Sequence, residues 1–126
     1  MIFGVGEVKV GHRRYALTPL SHREAQEIEA HGDCSFLRGR IRVDEGLPQD
    51  AQAEVLVHEV LHALVEDAGV EWEDEEHIVT VLGRRLAAFI ADNAGLMWRL
   101  AEVLVPVTMQ DYEDCIREGD KVSLVP

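Results

Sequence analysis

The chain has 126 residues, of which 47% are apolar and 29% charged, proportions typical of a globular protein that folds in water. Its 24 acidic and 12 basic residues give a formal net charge of −12, which excludes a general role in binding nucleic acid or anionic membranes. No apolar run approaches the roughly 18 residues that cross a bilayer, and no secretory signal is recognisable. We therefore expect one cytoplasmic domain over residues 1–126, with Cys34 and Cys115 as free thiols.

The first part of the chain, residues 1–47, is expected to be mainly β-structure with one short helix. Alternating apolar residues predict a hairpin over residues 1–18. Ser21 followed by Glu24 fits a capping box, which predicts a short helix from that point to residue 30. A second extended segment over residues 34–37 is followed by a turn at Arg38-Gly39. Residues 40–44 then alternate again and indicate a strand with one solvated face. These strands predict a small antiparallel sheet, and the chain as a whole belongs to the α+β class.

The second part, residues 48–105, is expected to be helical. A first helix should end at Gly69, because glycine readily adopts the left-handed conformation that follows a helix. A second helix begins in an acidic segment, where carboxylates suit the helix dipole, and runs to about Asn93. A third, apolar helix follows and should be stopped by Pro106. The C-terminal tail, residues 106–126, carries weaker signals, among them an edge strand over residues 121–125.

The pattern H-E-x-x-H occupies residues 58–62, in the first of these helices. Residues four apart share a helix face, so His58 and His62 project from the same side and can bind one Zn²⁺. Glu59 lies about 100° round the helix, from where it reaches a metal-bound water rather than the metal. The spacing predicts a zinc site with Glu59 as general base. The competing interpretation is two incidental histidines in a helix.

A catalytic zinc site usually has three protein ligands, so a third must be found. Glu66 lies eight residues after His58, about 12 Å along a straight helix, and cannot converge on the same ion. The ligand must therefore come from another element. The start of the second helix offers three residues of the right chemistry: Glu75, Glu76 and His77.

Residues 30–95 resemble a known family. A sheet, then L-P-x-x-x-Q-A-x-x-L-x-H-E-x-x-H-A, then an acidic-to-apolar helix is similar to the small ImmA/IrrE-type zinc metallopeptidases, and especially to the short phage-encoded minimal gluzincins. The resemblance implies a zincin-like fold and a third ligand in a pattern like E-x-x-A-[ND]-x-F-A. When Glu76 is aligned with the first glutamate of that pattern, Thr80, Leu82 and Gly83 fall at its polar, large apolar and small positions. Thr80 departs from the Asn or Asp of the pattern.

The third ligand implied by the resemblance is therefore Glu76, with Glu75 a poorer fit. His77 is the main rival, and a site of three histidines would resemble the SprT-like arrangement instead.

These features predict a zinc-dependent metallopeptidase in which metal-activated water attacks a peptide bond and Glu59 transfers the proton to the leaving amine. Four residues are candidates for stabilising the oxyanion: Tyr15, Tyr112, His12 and His31. The alternative is a non-catalytic phage structural, virion-associated or regulatory protein that retains a zincin metal site. The expected partner is a peptide or protein substrate, or a phage or regulatory protein, in the cytoplasm of the host if the protein is phage-encoded.

Overall fold

The structure is a computed structural model that describes residues 1–105. It divides into two compact units, Met1–Phe89 and a second unit that begins at Ile90. The single domain expected over residues 1–126 stays a prediction. The predictions for Pro106 and for the edge strand over residues 121–125 lie outside the described residues, as do Tyr112 and Cys115.

The elements follow the predicted order closely. They are a short 3₁₀ helix (Ile2–Val5), strands β1 (Glu7–Val10) and β2 (Arg13–Leu20), helix α1 (His22–Ile28), strands β3 (Gly32–Ser35) and β4 (Arg40–Asp44), and helices α2 (Gln49–Ala68), α3 (Glu75–Asp92) and α4 (Ala94–Leu104). Among the described residues, no helix is both long and apolar enough to cross a membrane.

The four strands form one mixed sheet in the order β1-β2-β4-β3. The two hairpins, β1–β2 and β3–β4, are antiparallel as predicted, but β2 and β4 are parallel, with Leu17 opposite Ile41. The expectation of a wholly antiparallel sheet was therefore wrong at this central pair. Helix α1 separates the two hairpins, so the chain crosses over before β4 returns beside β2 in the same direction. Local turn signals define each hairpin but do not decide which strands of two hairpins become neighbours.

The core lies between the sheet and α2. Its buried side chains come from the end of β1, from β2 and β4 and from one position of α2, and they are Val10, Tyr15, Leu17, Ile41, Val43 and Ala63. Half-buried residues of α2, among them Val55, Leu56 and Val60, pack against this cluster. Helix α2 is apolar almost all the way round in sequence, yet its fully buried residues are only Gln52, Glu59 and Ala63. Two of these three are polar, which is unusual for a buried helix face.

Two predicted helix ends are confirmed by their cap geometry. The hydroxyl of Ser21 accepts a hydrogen bond from the backbone N–H of Glu24 at 3.1 Å, so Ser21 caps α1. Gly69 follows α2 in the left-handed conformation, with φ 69°. Helix α1 ends two residues earlier than predicted, because Glu29 already has a left-handed backbone with φ 56°.

Helix α3 runs back along α2. Its first turn lies against His62, while a Cβ placed on Gly83 would be 3.6 Å from the Cα of His58, one turn earlier on α2. Position 83 of α3 therefore lies against α2 beside the H-E-x-x-H motif.

Candidate metal centre

The two motif histidines share one face of α2, as their spacing predicts. The Nε2 atoms of His58 and His62 are 3.2 Å apart, and both side chains are mostly buried, with exposed fractions of 23% and 16%. Ligand atoms of His58, Glu59 and His62 all lie within 4.8 Å of one another, a grouping that could hold a metal ion. A group of side chains on α2 that could hold a metal ion is thus present in the fold.

Glu76 approaches both histidines from the first turn of α3. One carboxylate oxygen lies 3.1 Å from Nε2 of His58, and the other lies 2.8 Å from Nε2 of His62. The two imidazoles and this carboxylate therefore converge on one point between α2 and α3. His77, the rival in sequence, is exposed and is not among the described residues that line the surrounding cleft.

The spacing of these donor atoms fits a zinc ion. Ligand atoms about 2.0–2.1 Å from a tetrahedral ion are roughly 3.3 Å from one another. The Nε2 atoms of His58 and His62 are 3.2 Å apart, and a different oxygen of Glu76 lies 3.1 Å from the first and 2.8 Å from the second, so neighbouring donor atoms are spaced about as closely as the ligands of one such ion. Two imidazole nitrogens and one carboxylate oxygen are also the donor types that zinc binds in catalytic sites.

Glu75 contacts the ring nitrogen of His62 that faces away from the site. Its carboxylate lies 2.6 Å from Nδ1 of His62, on the side of the ring opposite the converging Nε2. A carboxylate at this position holds the hydrogen on Nδ1 and leaves the Nε2 lone pair directed at the site. The sequence offered Glu75 only as a poorer third ligand, so its contact with the other ring nitrogen was missed. The sequence feature that could have indicated this contact was the presence of a second acidic residue directly before Glu76.

Glu59 lies beside the two histidines, with a carboxylate oxygen within 4.8 Å of their ligand atoms, and it is only 7% exposed. Burial raises the pKa of its carboxyl to about 7, and the charges of Glu76 and Asp33 act in the same direction, while His62 opposes them. A carboxyl whose pKa lies near neutrality both accepts and releases a proton readily at physiological pH.

The electrostatic surroundings of the two histidines differ. Burial lowers the pKa of His58, and the neighbouring His62 lowers it further, against the opposing effect of Glu76. Burial also lowers the pKa of His62, but hydrogen bonds with Glu75 and Glu76 and the charge of Glu59 outweigh it, so its pKa is raised. The carboxylates of Glu75 and Glu76 therefore favour a positive charge beside them, which a cation bound at the site would supply.

The site opens into a cleft of about 810 Å³ between α2, the start of α3 and the edge strand β3. Besides the residues above, its lining includes Thr80 and Gly83 of α3, two positions of the pattern in the resemblance. Leu82, at the third position, is not among the residues that line this cleft, and it is 50% exposed. The thiol of Cys34 also lines the cleft, and burial raises its pKa to about 11, so it is protonated at neutral pH.

The candidates for oxyanion stabilisation lie in different parts of the fold. Tyr15 is 1% exposed in the core between the sheet and α2, and His12 is exposed in the β1–β2 turn. His31, just before β3, lies in the lining of the cleft. Of the candidates within the described residues, only His31 is therefore placed beside the site.

One cluster of titratable side chains beside the cleft was not predicted from the sequence. Asp44, at the end of β4, is fully buried and contacts both His22 and His31. No periodic pattern marks such a group, because its members come from α1, from the approach to β3 and from β4.

Comparisons of the chain with protein-family models, with curated proteins and with solved structures each found no match. A function for this chain is therefore inferred from its own residues and their geometry.

Proposed function

We propose that this protein is a zinc-dependent peptidase, with His58, His62 and Glu76 as the metal ligands and Glu59 as the general base. The observation that carries the proposal is the convergence of two imidazole nitrogens of α2 and the carboxylate of Glu76 from α3, with contacts of 2.8–3.2 Å, beside a buried glutamate. The resemblance to the minimal gluzincins supports the same ligand set.

Each residue has a separate task in this proposal. Zinc, when bound, supplies a positive charge that lowers the pKa of water and polarises a peptide carbonyl. Glu59 accepts a proton from the attacking water and delivers it to the leaving amine, a transfer for which a pKa near 7 is well suited. Glu75 keeps His62 in the tautomer that presents Nε2 to the site.

The buried glutamate favours a catalytic role over a purely structural one. A metal that only strengthens the fold needs ligands but no base, and burying an unpaired carboxyl against its tendency to ionise destabilises the fold. Glu59 is 7% exposed and not needed to complete the set of two histidines and Glu76. Its position is therefore explained by proton transfer.

The first experiment measures zinc by elemental analysis in the wild type and in the variants His58→Ala, Glu76→Ala, His77→Ala and Glu59→Gln. We expect one zinc per chain in the wild type, His77→Ala and Glu59→Gln, and loss of zinc in the other two. Zinc retained in Glu76→Ala but lost in His77→Ala would overturn the ligand assignment.

The second experiment incubates the zinc-loaded proteins with casein and with a mixture of fluorogenic peptides. The wild type should cleave at least one of them, and Glu59→Gln, with its zinc intact, should be slower by about 10²–10⁴-fold. Equal rates would exclude Glu59 as the base. A zinc-bound wild type with no hydrolysis would favour the alternative, a non-catalytic structural or regulatory protein that retains the metal site.

A further inference from the structure

The turn between β3 and β4 presents an apolar side chain to solvent. Leu37 is 96% exposed, the highest value among the large apolar residues of the part of the chain that the structure describes, although its neighbour Phe36 packs against the core. Two hydrogen bonds hold the turn in place. The hydroxyl of Ser35 accepts one from the backbone N–H of Arg38 at 3.2 Å, and the guanidinium of Arg13 donates one to the carbonyl of Phe36 at 2.6 Å. Leu37 is therefore a fixed apolar projection, which we call the knob.

Three arginines beside the knob make no ion pair within residues 1–105. Arg38 follows Leu37 directly, Arg13 contacts the turn through its hydrogen bond to Phe36, and Arg40 begins β4. Nε of Arg40 is buried without a hydrogen-bond partner among these residues. The surroundings of the knob therefore carry positive charge that nothing in the described chain neutralises, although the chain as a whole has a net charge of −12.

A groove between α2 and α3 has a size and chemistry that match the knob. Its volume is about 240 Å³, and only apolar and aromatic side chains line it. Four of these side chains are 42–50% exposed, namely Leu64, Val70, Trp72 and Leu82, so the groove is open to solvent. An apolar cavity of about 150 Å³ already holds a benzene molecule, so a leucine side chain fits into this groove.

Acidic residues alternate along the chain with the residues that line the groove. Glu71 and Glu73 flank Trp72, and Glu66 follows Val65. All three acidic residues are exposed and make no ion pair within residues 1–105. The groove is therefore apolar with negatively charged surroundings, whereas the knob is apolar with positively charged surroundings.

We propose that the knob of one molecule inserts into the groove of a second copy of this chain, with Arg38 and its neighbours facing the acidic residues around Trp72. Charge complementarity identifies the second copy as the occupant, because the two surfaces belong to one chain and match in size, polarity and sign. Two different surfaces meet, so the contact is heterologous and joins the molecules head to tail. The groove shares no lining residue with the metal cleft, so this contact goes beyond the proposed peptidase function and does not depend on it.

One side chain anchors this contact, so we expect an interface smaller than the roughly 1,200 Å² that stable complexes bury. The association is correspondingly weak, with a dissociation constant of roughly 10–100 µM. Most of its energy comes from burying Leu37, because a few central side chains dominate the energetics of an interface. The surrounding charges are exposed, so their contribution falls as salt is added.

The first test is analytical ultracentrifugation of the full wild-type chain at concentrations up to about 500 µM, well above the expected dissociation constant. We expect reversible, concentration-dependent association in about 50 mM salt and a dissociation constant at least about threefold higher in 500 mM salt. A wild type that stays monomeric at the highest concentration in low salt would overturn the proposal.

Substitutions locate the contact. Leu37→Asp in the knob and Leu64→Lys in the groove should each weaken association by at least about tenfold. Val5→Asp is the matched control, because Val5 is also an exposed apolar residue, at 65%, but belongs to neither surface. If circular dichroism shows that a variant is unfolded, Leu37→Ala or Trp72→Ala takes its place.

Association through other apolar side chains would give a different result. Helix α4 exposes several of them, among them Trp98 at 50%. Association that persists unchanged in both Leu37→Asp and Leu64→Lys would therefore exclude the knob and groove as the contact.

Mixing the two variants tests the head-to-tail arrangement. Leu37→Asp keeps an intact groove and Leu64→Lys keeps an intact knob, so each is expected to be monomeric alone, while their equimolar mixture should form a dimer with one copy of each. A mixture that stays monomeric would show that the two surfaces do not bind each other.

Charge reversal tests the pairing of the surroundings. Arg38→Glu alone and Glu71→Arg with Glu73→Arg should each weaken association by about three- to tenfold, and the triple variant should recover most of the loss, because opposite charges face each other again. Arg85→Glu, at an exposed position of α3 that does not line the groove, is the control and should associate like the wild type. Losses that simply add in the triple variant would contradict the proposed pairing.

These results are independent of the peptidase function. Glu59→Gln, which removes the proposed base, should associate like the wild type. A wild type that associates without hydrolysing peptides leaves this contact intact and overturns only the peptidase function, whereas an active wild type that stays monomeric overturns only the contact.

Discussion

The carboxylate of Glu75 lies 2.6 Å from Nδ1 of His62, directly behind the nitrogen that faces the candidate metal centre. The two residues belong to different helices, so this contact also links the start of α3 to the middle of α2. Because the carboxylate holds the Nδ1 hydrogen, it determines the tautomer and the orientation of the ring.

We predict that Glu75→Ala weakens zinc binding by about 10–100-fold without changing the stoichiometry, since it removes the partner of a ligand rather than a ligand. Competition with a chelator of known affinity measures this. Glu75→Gln, which keeps a hydrogen-bond acceptor, should lose less, and Glu73→Ala, an exposed carboxylate two residues earlier, should bind zinc as the wild type does. Wild-type affinity in Glu75→Ala would show that the contact is unimportant for the metal.

The buried Glu59 predicts how the stability of the metal-free protein depends on pH. Its pKa is raised from an ordinary value of 4.5 to about 7, so the folded state keeps a proton that the unfolded chain releases between these values. The unfolding free energy contributed by this group is therefore fully present below pH 4.5 and is lost as pH rises towards 7.

Glu59→Gln should remove this dependence. Measured by urea denaturation with a chelator present, the variant should match the wild type at low pH and exceed it by about 1–3 kcal/mol above neutrality. The comparison uses the difference between the two proteins at each pH, because other groups titrate equally in both. A constant difference across the range would contradict a raised pKa.

Gly32 determines how closely β3 approaches α2. A Cβ at this position would lie 2.6 Å from the side chain of Val55 and 2.8 Å from the backbone oxygen of Arg42, both far inside van der Waals contact. We therefore expect Gly32→Ala to lower the unfolding free energy by about 1–3 kcal/mol, as measured by denaturant titration.

Gly83→Ala is the matched control for that substitution. The added Cβ would lie 3.5 Å from Leu61 and 3.6 Å from the Cα of His58, which is ordinary contact. Since alanine is the better helix former, the variant should be as stable as the wild type or more stable by up to about 1 kcal/mol. Equal losses in the two variants would contradict the packing described for Gly32.

Asp44 predicts a loss of stability in acid. Burial alone would raise its pKa, but hydrogen bonds from Gly46, His22 and His31 outweigh burial and hold the pKa below its usual 3.8. The stabilisation from this carboxylate is therefore present above pH 3.8 and is lost as pH falls through the lower, folded-state pKa.

In Asp44→Asn the unfolding free energy at pH 7 should fall by about 1–3 kcal/mol, because the amide replaces a charged acceptor of several hydrogen bonds. The difference from the wild type should shrink as the pH is lowered towards 2. Thermal denaturation followed by circular dichroism at several pH values measures it. A difference that grows in acid would contradict the lowered pKa.

Local patterns in the sequence determined the helices, the two hairpins, the Ser21 and Gly69 caps and the shared face of His58 and His62. Each of these depends on residues within a few positions of one another, where backbone geometry alone relates spacing to direction. The same reasoning excluded Glu66 as a third ligand, because it lies too far along α2 from His58.

Only the tertiary structure decided how separate elements meet. The parallel pairing of β2 and β4, the contacts of Glu75 and Glu76 with the two motif histidines, and the grouping of His22 and His31 around Asp44 all join segments far apart in the chain. Such contacts follow from the packing of the sheet against α2 and of α3 along α2. That packing optimises the burial of the whole core rather than any local pattern, so it leaves no periodic signal in the sequence.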